Sequence, residues 1–325
     1  MAFRLRQEKH DNAFGKDPTC WVIEDDAGNR LDVWPALGFN AFRWTASGVD
    51  LLDCDPSFFQ IQKPTRSGLP ILFPFPNRIR DGQYAWRGRG YQLALNCPTG
   101  RNAIHGFTTA ASWAPSVSLD ADHAVLTGRF DFTGNQPLWP ASGSLIVDYQ
   151  LSANLLEVKA RVESGSETLP FGLGYHPYFK VAPFGGDRAL VSLAADQVWE
   201  LRDSLPTGVR MAPDPMKDLR EGREFGSLTL DDAFTDLKPR PAANGLGWFG
   251  GLKNPEGSAQ LDMYVSPAFR EAVAFTPPHR RAVCLEPYTC ATDAINLQAR
   301  GIDAGWIELP PQTVWEATVR LEFTH

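Results

Sequence analysis

The sequence predicts an all-β protein built as a large antiparallel β-sandwich, and three observations lead there. Its longest patterned stretches alternate apolar and polar residues with the two-residue period of half-buried strands. Its 325 residues include 28 glycines and 26 prolines, a composition that favours many turns between short strands. Amphipathic helical periodicity is nearly absent. Length alone would fit two domains, but all-β folds of this size often form one unit, and residues 1–325 are read as a single domain.

In chain order, residues 20–23 and 31–34 are short apolar runs on either side of Asp26-Ala27-Gly28-Asn29, a predicted hairpin turn. Residues 41–44 read as a further strand, with turn residues following over 50–55. The segment 68–82 carries Pro70, Pro74 and Pro76, which exclude a helix and argue against a central strand. A rigid, extended, apolar segment therefore delivers Asn77 and Arg78 to wherever it ends, and Asp81-Gly82 then reads as a hairpin turn. In the middle of the chain Leu145, Val147, Tyr149 and Leu151 alternate with polar neighbours, as do Leu156, Val158, Ala160 and Val162. The C-terminal Trp315, Ala317, Val319, Leu321 and Phe323 repeat the pattern, so all three stretches predict strands with one wet face. Residues 125–132 and 190–193 read as further strands, and 293–300 as one short turn of helix.

Composition narrows the function. A net charge of −7 excludes a general nucleic-acid binder, because phosphate binding needs a basic face. No apolar run is long enough to span a bilayer, so no membrane partner is expected. Residues 1–15 lack the apolar core of a signal peptide. The cysteines at 20, 54, 97, 284 and 290 show no Cys-x-x-Cys spacing and read as reduced thiols in a cytoplasmic protein. The histidines lack metal-ligand spacing, and Gly245-Leu-Gly-Trp-Phe-Gly250 has the letters of a dinucleotide loop without the helix that must follow. No metal or other cofactor is expected. Against the acidic background, Lys63, Arg66, Arg78, Arg80, Arg87 and Arg89 face a single nearby acid, Asp81. That surplus is either a solvated strand face or a site for a phosphorylated ligand.

A few side chains stand out as chemistry. His176 sits among aromatic residues, with Gly172 and Gly174 before it and Pro177 holding the backbone extended after it. Its imidazole suits a general acid, against the alternative of a core histidine satisfied by a carbonyl. Arg78 offers a planar fork of donors that brackets vicinal hydroxyls, or else pairs with a structural acid. His105 precedes Gly106, so little bulk crowds its ring. Asp231 and Asp232 are adjacent in a strand, so only one of them can enter a pocket. Glu286 ends the apolar run 282–285, either at a wet strand end or in a pocket where burial would raise its pKa and make it a better base.

With Asn77-Arg78, His105-Gly106, His176-Pro177-Tyr178-Phe179, Asp231 and Leu285-Glu286-Pro287 in that order, the chain resembles the aldose 1-epimerase (galactose mutarotase) family over nearly its whole length. The resemblance implies a galactose mutarotase-like supersandwich and a cofactor-independent isomerase acting on a small-molecule sugar. It implies Glu286 as the catalytic base and His176 as the acid, with Asn77, Arg78, His105 and Asp231 binding substrate. Asp232 is the fallback for Asp231. Gly174-Tyr175 stand where relatives acting on free galactose carry Thr-Asn, and the Leu-Pro-Ile-Leu-Phe-Pro run leans toward relatives acting on hexose 6-phosphates. Two other readings follow: a hexose-6-phosphate 1-epimerase whose arginines between 66 and 89 clamp the phosphate, and a non-catalytic carbohydrate-binding module.

Overall fold

The computed structural model describes residues 2–61, 64–120, 122–133 and 139–325. Lys63, one of the basic surplus, lies outside the described residues. The fold is all-β, with strands gathered into antiparallel sheets and a single short α-helix among the described residues. No helix among the described residues is long and apolar enough to cross a membrane. All five cysteines are free thiols.

The alternating stretches form the backbone of the larger sheet. Gly143–Ser152 pairs with Leu155–Ser164 in a register that sets Leu145 beside Val162, Val147 beside Ala160 and Tyr149 beside Val158. Val314–Thr324 joins the other edge of Leu155–Ser164, with Val319 beside Val158 and Leu321 beside Leu156. All of these apolar side chains are buried, while Lys159 and Arg161 on the alternate positions stay exposed. Burying a side chain of this kind contributes about 1.5–3 kcal/mol, so the register that buries all of them together is strongly preferred. Ala124–Phe132, Leu190–Leu193 and the strands between them extend this sheet to ten strands among the described residues.

A second sheet of eight strands faces the same core. Its centre is Asp231–Leu237, Glu271–Phe275 and Ala282–Tyr288 in antiparallel order, flanked on the far side by Gly174–Tyr175, Tyr178–Lys180 and Ile71–Leu72. Phe234, Ala272, Ala274, Val283 and Leu285 join side chains of the larger sheet in one continuous apolar core. The N-terminal strands Arg4–Lys9, Thr19–Glu24, Arg30–Trp34, Asn40–Ala46 and Val49–Asp50 form a separate five-stranded meander. The predicted hairpin turn at 26–29 is present, closed by Asp25, whose Oδ1 accepts from the Ala27 and Asn29 N–H groups at 2.9 Å. Charged Arg4, Arg6, Glu8 and Glu24 dress its outer strands, which discourages edge-to-edge pairing.

The structure corrects one expectation. Asp81-Gly82 is a turn, but the strands it joins do not form a hairpin. Arg78–Arg80 pairs with Asn102–Ile104, whereas Gln83–Trp86 pairs with Arg89–Gln92. Asn102 Oδ1 accepts the Asp81 N–H at 3.0 Å, so the turn's own donor is held by the distant strand. The expected short helix is found as Ala294–Ala299, and the stretch between Pro70 and Pro76 supplies only the two-residue strand Ile71–Leu72.

Gly174 shows how tightly the smaller sheet is packed. It pairs with both Tyr288 and Leu72, and a Cβ there would stand 2.4 Å from the Tyr288 ring and 2.8 Å from Pro76 Cβ. Gly174→Ala is therefore expected to destabilise the fold by about 1–3 kcal/mol through overpacking. The measurement is the urea midpoint at unchanged m-value; an unshifted midpoint would show that the strands part easily here.

Candidate active site

The two-residue repeat of the strands does the placing. On Ala282–Tyr288, Val283 and Leu285 enter the core, so Cys284, Glu286 and Tyr288 share the opposite face. Register sets Phe275 beside Cys284, Val273 beside Glu286 and Glu271 beside Tyr288, and one strand further sets Asp231 beside Phe275. On the other flank Gly174 pairs with Tyr288 and Tyr178 with Cys284. His176 lies between them and, by the same parity, meets Glu286. Pro177 interrupts no ladder, because the flanking His176 and Tyr178 N–H groups donate to Pro70 O at 3.0 Å and Gly68 O at 2.9 Å.

Loops bring the remaining groups. Asn77 and His105 both take left-handed backbone conformations (φ 54° and 63°), and the His105 N–H donates to Asn77 O at 2.8 Å. Gly106 locks this corner: its φ is +67° and a Cβ would fall 2.1 Å from Phe73 O, so only glycine fits. Buried Asp293 ties the corner to the sheet, with its N–H donating to Arg78 O at 2.8 Å and its Oδ1 accepting from the Arg80 N–H at 3.0 Å.

His176 Nε2 stands 3.3 Å from Glu286 Oε1 and 3.4 Å from the Tyr178 hydroxyl, and its ring stacks on Tyr178 with centroids 4.7 Å apart. The Tyr288 hydroxyl donates a short hydrogen bond to Glu286 Oε2. The His105 ring meets the His176 ring edge-on at 5.7 Å. Asn77 Oδ1 accepts from Arg78 Nη1 at 2.9 Å. The Nδ1 atoms of both histidines are buried without a hydrogen-bond partner among the described residues.

Burial pushes the Glu286 carboxyl well above the usual carboxylate range; the Tyr288 hydrogen bond and Arg78 oppose this, while Asp231 adds to it. Burial likewise drives His176 down to about 3. His105 is held well below the ordinary imidazole value by burial and by His176 and Arg78 beside it. Both shifts favour uncharged forms, so His176 and Glu286 meet as a neutral pair holding one proton between them rather than as an ion pair.

A family model described as Aldose 1-epimerase matches residues 43–322. The chain belongs to the aldose 1-epimerase family. The uncharacterized protein YihR of Escherichia coli K12 is 27% identical over 236 residues, 72% of each chain. A galactose mutarotase-like protein of Clostridium acetobutylicum superposes with a TM-score of 0.88 at 24% identity, covering 100% of this chain and 99% of that one. The galactose 1-epimerase of Lactobacillus acidophilus NCFM gives 0.80 at 19% identity, covering 99% of each. The sandwich is thus the galactose mutarotase-like one.

On this aldose 1-epimerase fold, the expected residues converge: Arg78 and Asp231 both act electrostatically on Glu286, which itself touches His176. The two adjacent acids differ in their surroundings. Asp232 is held by Lys217 Nζ at 2.8 and 3.0 Å, whereas Asp231 is exposed and lies, by register, on the strand face of Phe275 and Cys284. The basic surplus disperses. Arg80 lies 3.7 Å from Asp293, Arg87 caps Trp86 and Arg89 caps Tyr91, leaving Arg66 and Arg78 near the cluster. Tyr288 escaped the sequence reading as a site residue. The signal was present, since it lies two residues from Glu286 and so on its face of the strand.

The same sheet face also carries Glu271, which lines a separate cavity of about 520 Å³ with Arg210, Thr235 and Arg270. Its carboxyl accepts from Trp199 Nε1–H at 2.8 Å and from the Thr235 hydroxyl at 3.0 Å, yet burial raises its pKa from 4.5 to about 7. An acid with a raised folded-state pKa holds its proton more tightly when folded. The linked stability is therefore full below about pH 4.5 and is lost as pH rises through about 7. At about 1.4 kcal/mol per pKa unit the loss is roughly 3 kcal/mol. Glu271→Gln should flatten the stability measured by urea unfolding between about pH 5 and about pH 8; parallel curves for variant and wild type would remove Glu271 as the cause.

Proposed function

We propose that this protein is a mutarotase that interconverts the α and β anomers of a hexose by general acid–base ring opening and closure. The observation that carries the reading is the contact of Glu286 Oε1 with His176 Nε2 at 3.3 Å, on a buried face. The two oxygens of an anomeric centre, the hydroxyl O1 and the ring O5, are bonded to one carbon, so two adjacent groups of opposite proton function can serve both.

With the proton that the pair shares drawn onto His176, Glu286 takes the proton of the O1 hydroxyl while His176 gives its proton to O5 and the C1–O5 bond breaks, which leaves the shared proton on Glu286. The aldehyde rotates about C1–C2; O5 then attacks the other face of C1, returning its proton to His176 while Glu286 returns one to O1. Protons balance at each stage, because the pair ends the opening step with the single proton that it shares in the free site. Tyr288 donates to Glu286 throughout and holds its carboxylate in place. Asn77, Arg78, His105 and Asp231 offer the donors and acceptors that would orient the sugar hydroxyls.

A second reading has one observation in its favour. Neither Arg66 nor Arg78 belongs to an ion pair among the described residues, and the charge of Arg66 reaches Tyr178, which stacks on His176. Two guanidinium groups not neutralised by an acid suit a hexose bearing a phosphate. Comparing exchange rates for glucose and glucose 6-phosphate separates the readings, since a strong, salt-sensitive preference for the phosphate selects the second.

Exchange NMR measures anomer interconversion directly. Glu286→Gln is expected to lower the enzyme-dependent rate by about 10²–10⁴-fold while calorimetry still detects sugar binding. A variant with full rate would dismiss Glu286 as the base. Tyr288→Phe should lose roughly 10–100-fold, the scale of one hydrogen bond to a charged group. Sugar binding with no exchange in the wild type would instead establish a carbohydrate-binding module.

A further inference from the structure

Cys284 lies on the strand face of Glu286 but takes no part in the proton transfers above. Its side chain is fully buried, in a small apolar cluster with Tyr178 and Phe275. A ring nitrogen of His176, the Cys284 sulfur and a Glu286 carboxylate oxygen all lie within 4.8 Å of one another. The three donors come from fixed backbone: two from one strand, two residues apart, and the third from the segment paired beside it.

We propose that this trio is a binding site for a soft divalent cation, zinc in particular, which occupies the site in place of the sugar and reversibly blocks it. Zinc is held at about 2.0–2.1 Å by imidazole nitrogen, about 2.3 Å by thiolate and about 2.0–2.2 Å by carboxylate, in tetrahedral geometry. Ligand atoms around such an ion stand less than roughly 4 Å apart. The trio therefore needs only sub-ångström side-chain adjustments, with the sheet backbone unmoved. One sulfur, one nitrogen and one oxygen donor select zinc or cobalt over magnesium or calcium, which require oxygen ligands. Three protein ligands leave one tetrahedral position for water. Binding is balanced by proton release: the Cys284 thiol gives its proton to solvent as its sulfur bonds the ion, and the proton shared by His176 and Glu286 leaves as well.

The blocking effect rests on the proposed mutarotase reading, since the ion claims both the base and the acid. Metal binding itself does not, and the experiment separates the two. Chelator-treated protein is titrated with Co²⁺ while thiolate-to-cobalt charge-transfer absorption is recorded, then Zn²⁺ is added to displace it. The expected result is a band saturating at one cobalt per chain, bleached by zinc and absent in Cys284→Ala and Cys284→Ser. No band in the wild type, or the same band in both variants, overturns the site. In parallel, Zn²⁺ should suppress anomer exchange competitively with sugar, and a chelator should restore it. Cys284→Ala should keep its exchange activity and lose at least tenfold in zinc sensitivity. Full exchange in zinc-saturated wild type overturns the blocking role. A cobalt band that depends on Cys284, in a protein showing no exchange at all, leaves the metal site standing and sinks the mutarotase reading instead.

Discussion

The contact between Glu286 and His176 is the constraint around which the smaller sheet is arranged. An acid and an imidazole taken out of water lose solvation that must be replaced by directed hydrogen bonds, or they neutralise. Here Tyr288 donates to one carboxylate oxygen, His176 faces the other, and Tyr178 stacks beneath the imidazole. The result is a pair that holds a single mobile proton. Such a pair can act as base and acid at once without any change in its total charge, which suits a reaction that moves protons and leaves the substrate's composition unchanged.

Core and site are two faces of the same strands. Val283 and Leu285 point into the core while Cys284 and Glu286 face the other way, and Tyr288 on their face also packs with core residues, so the packing that stabilises the sandwich also fixes the height and spacing of the chemical groups. A slip of one residue would exchange the faces, turning Glu286 into the apolar core and Leu285 toward His176. Many apolar pairs on both sheets oppose that slip. Gly174 and Gly106 work at the same level: each permits a close backbone approach that brings His176 or His105 to its place.

The electrostatics are local. A chain of net charge −7 keeps Arg66 and Arg78 out of ion pairs among the described residues near the Glu286–His176 pair, while Arg80 lies near Asp293 and Arg87 and Arg89 cover aromatic faces. Asp232 is neutralised by Lys217, leaving Asp231 beside Arg78. A buried thiol next to a buried acid and imidazole has a further consequence, because the proximity on which the proposed proton transfer rests also gathers the sulfur, nitrogen and oxygen donors of the proposed cation site.

The strands at the centre of the larger sheet were legible in the sequence because alternation over many residues admits one periodicity only, and burying that face settles the pairing partners. The candidate residues were legible as short motifs, and the family resemblance gave them an order. Tertiary structure alone decided the rest. Asp81-Gly82 has the letters of a hairpin turn, yet its strands found partners elsewhere, since Asn102 reaches the turn from a distant strand. Whether Asp231 or Asp232 stood free depended on Lys217, and the fate of each arginine depended on which acid or ring came near it. Those outcomes rest on contacts between residues far apart in sequence. The chain's local pattern therefore sets which way each side chain points, and only the folded sheets determine what it meets there.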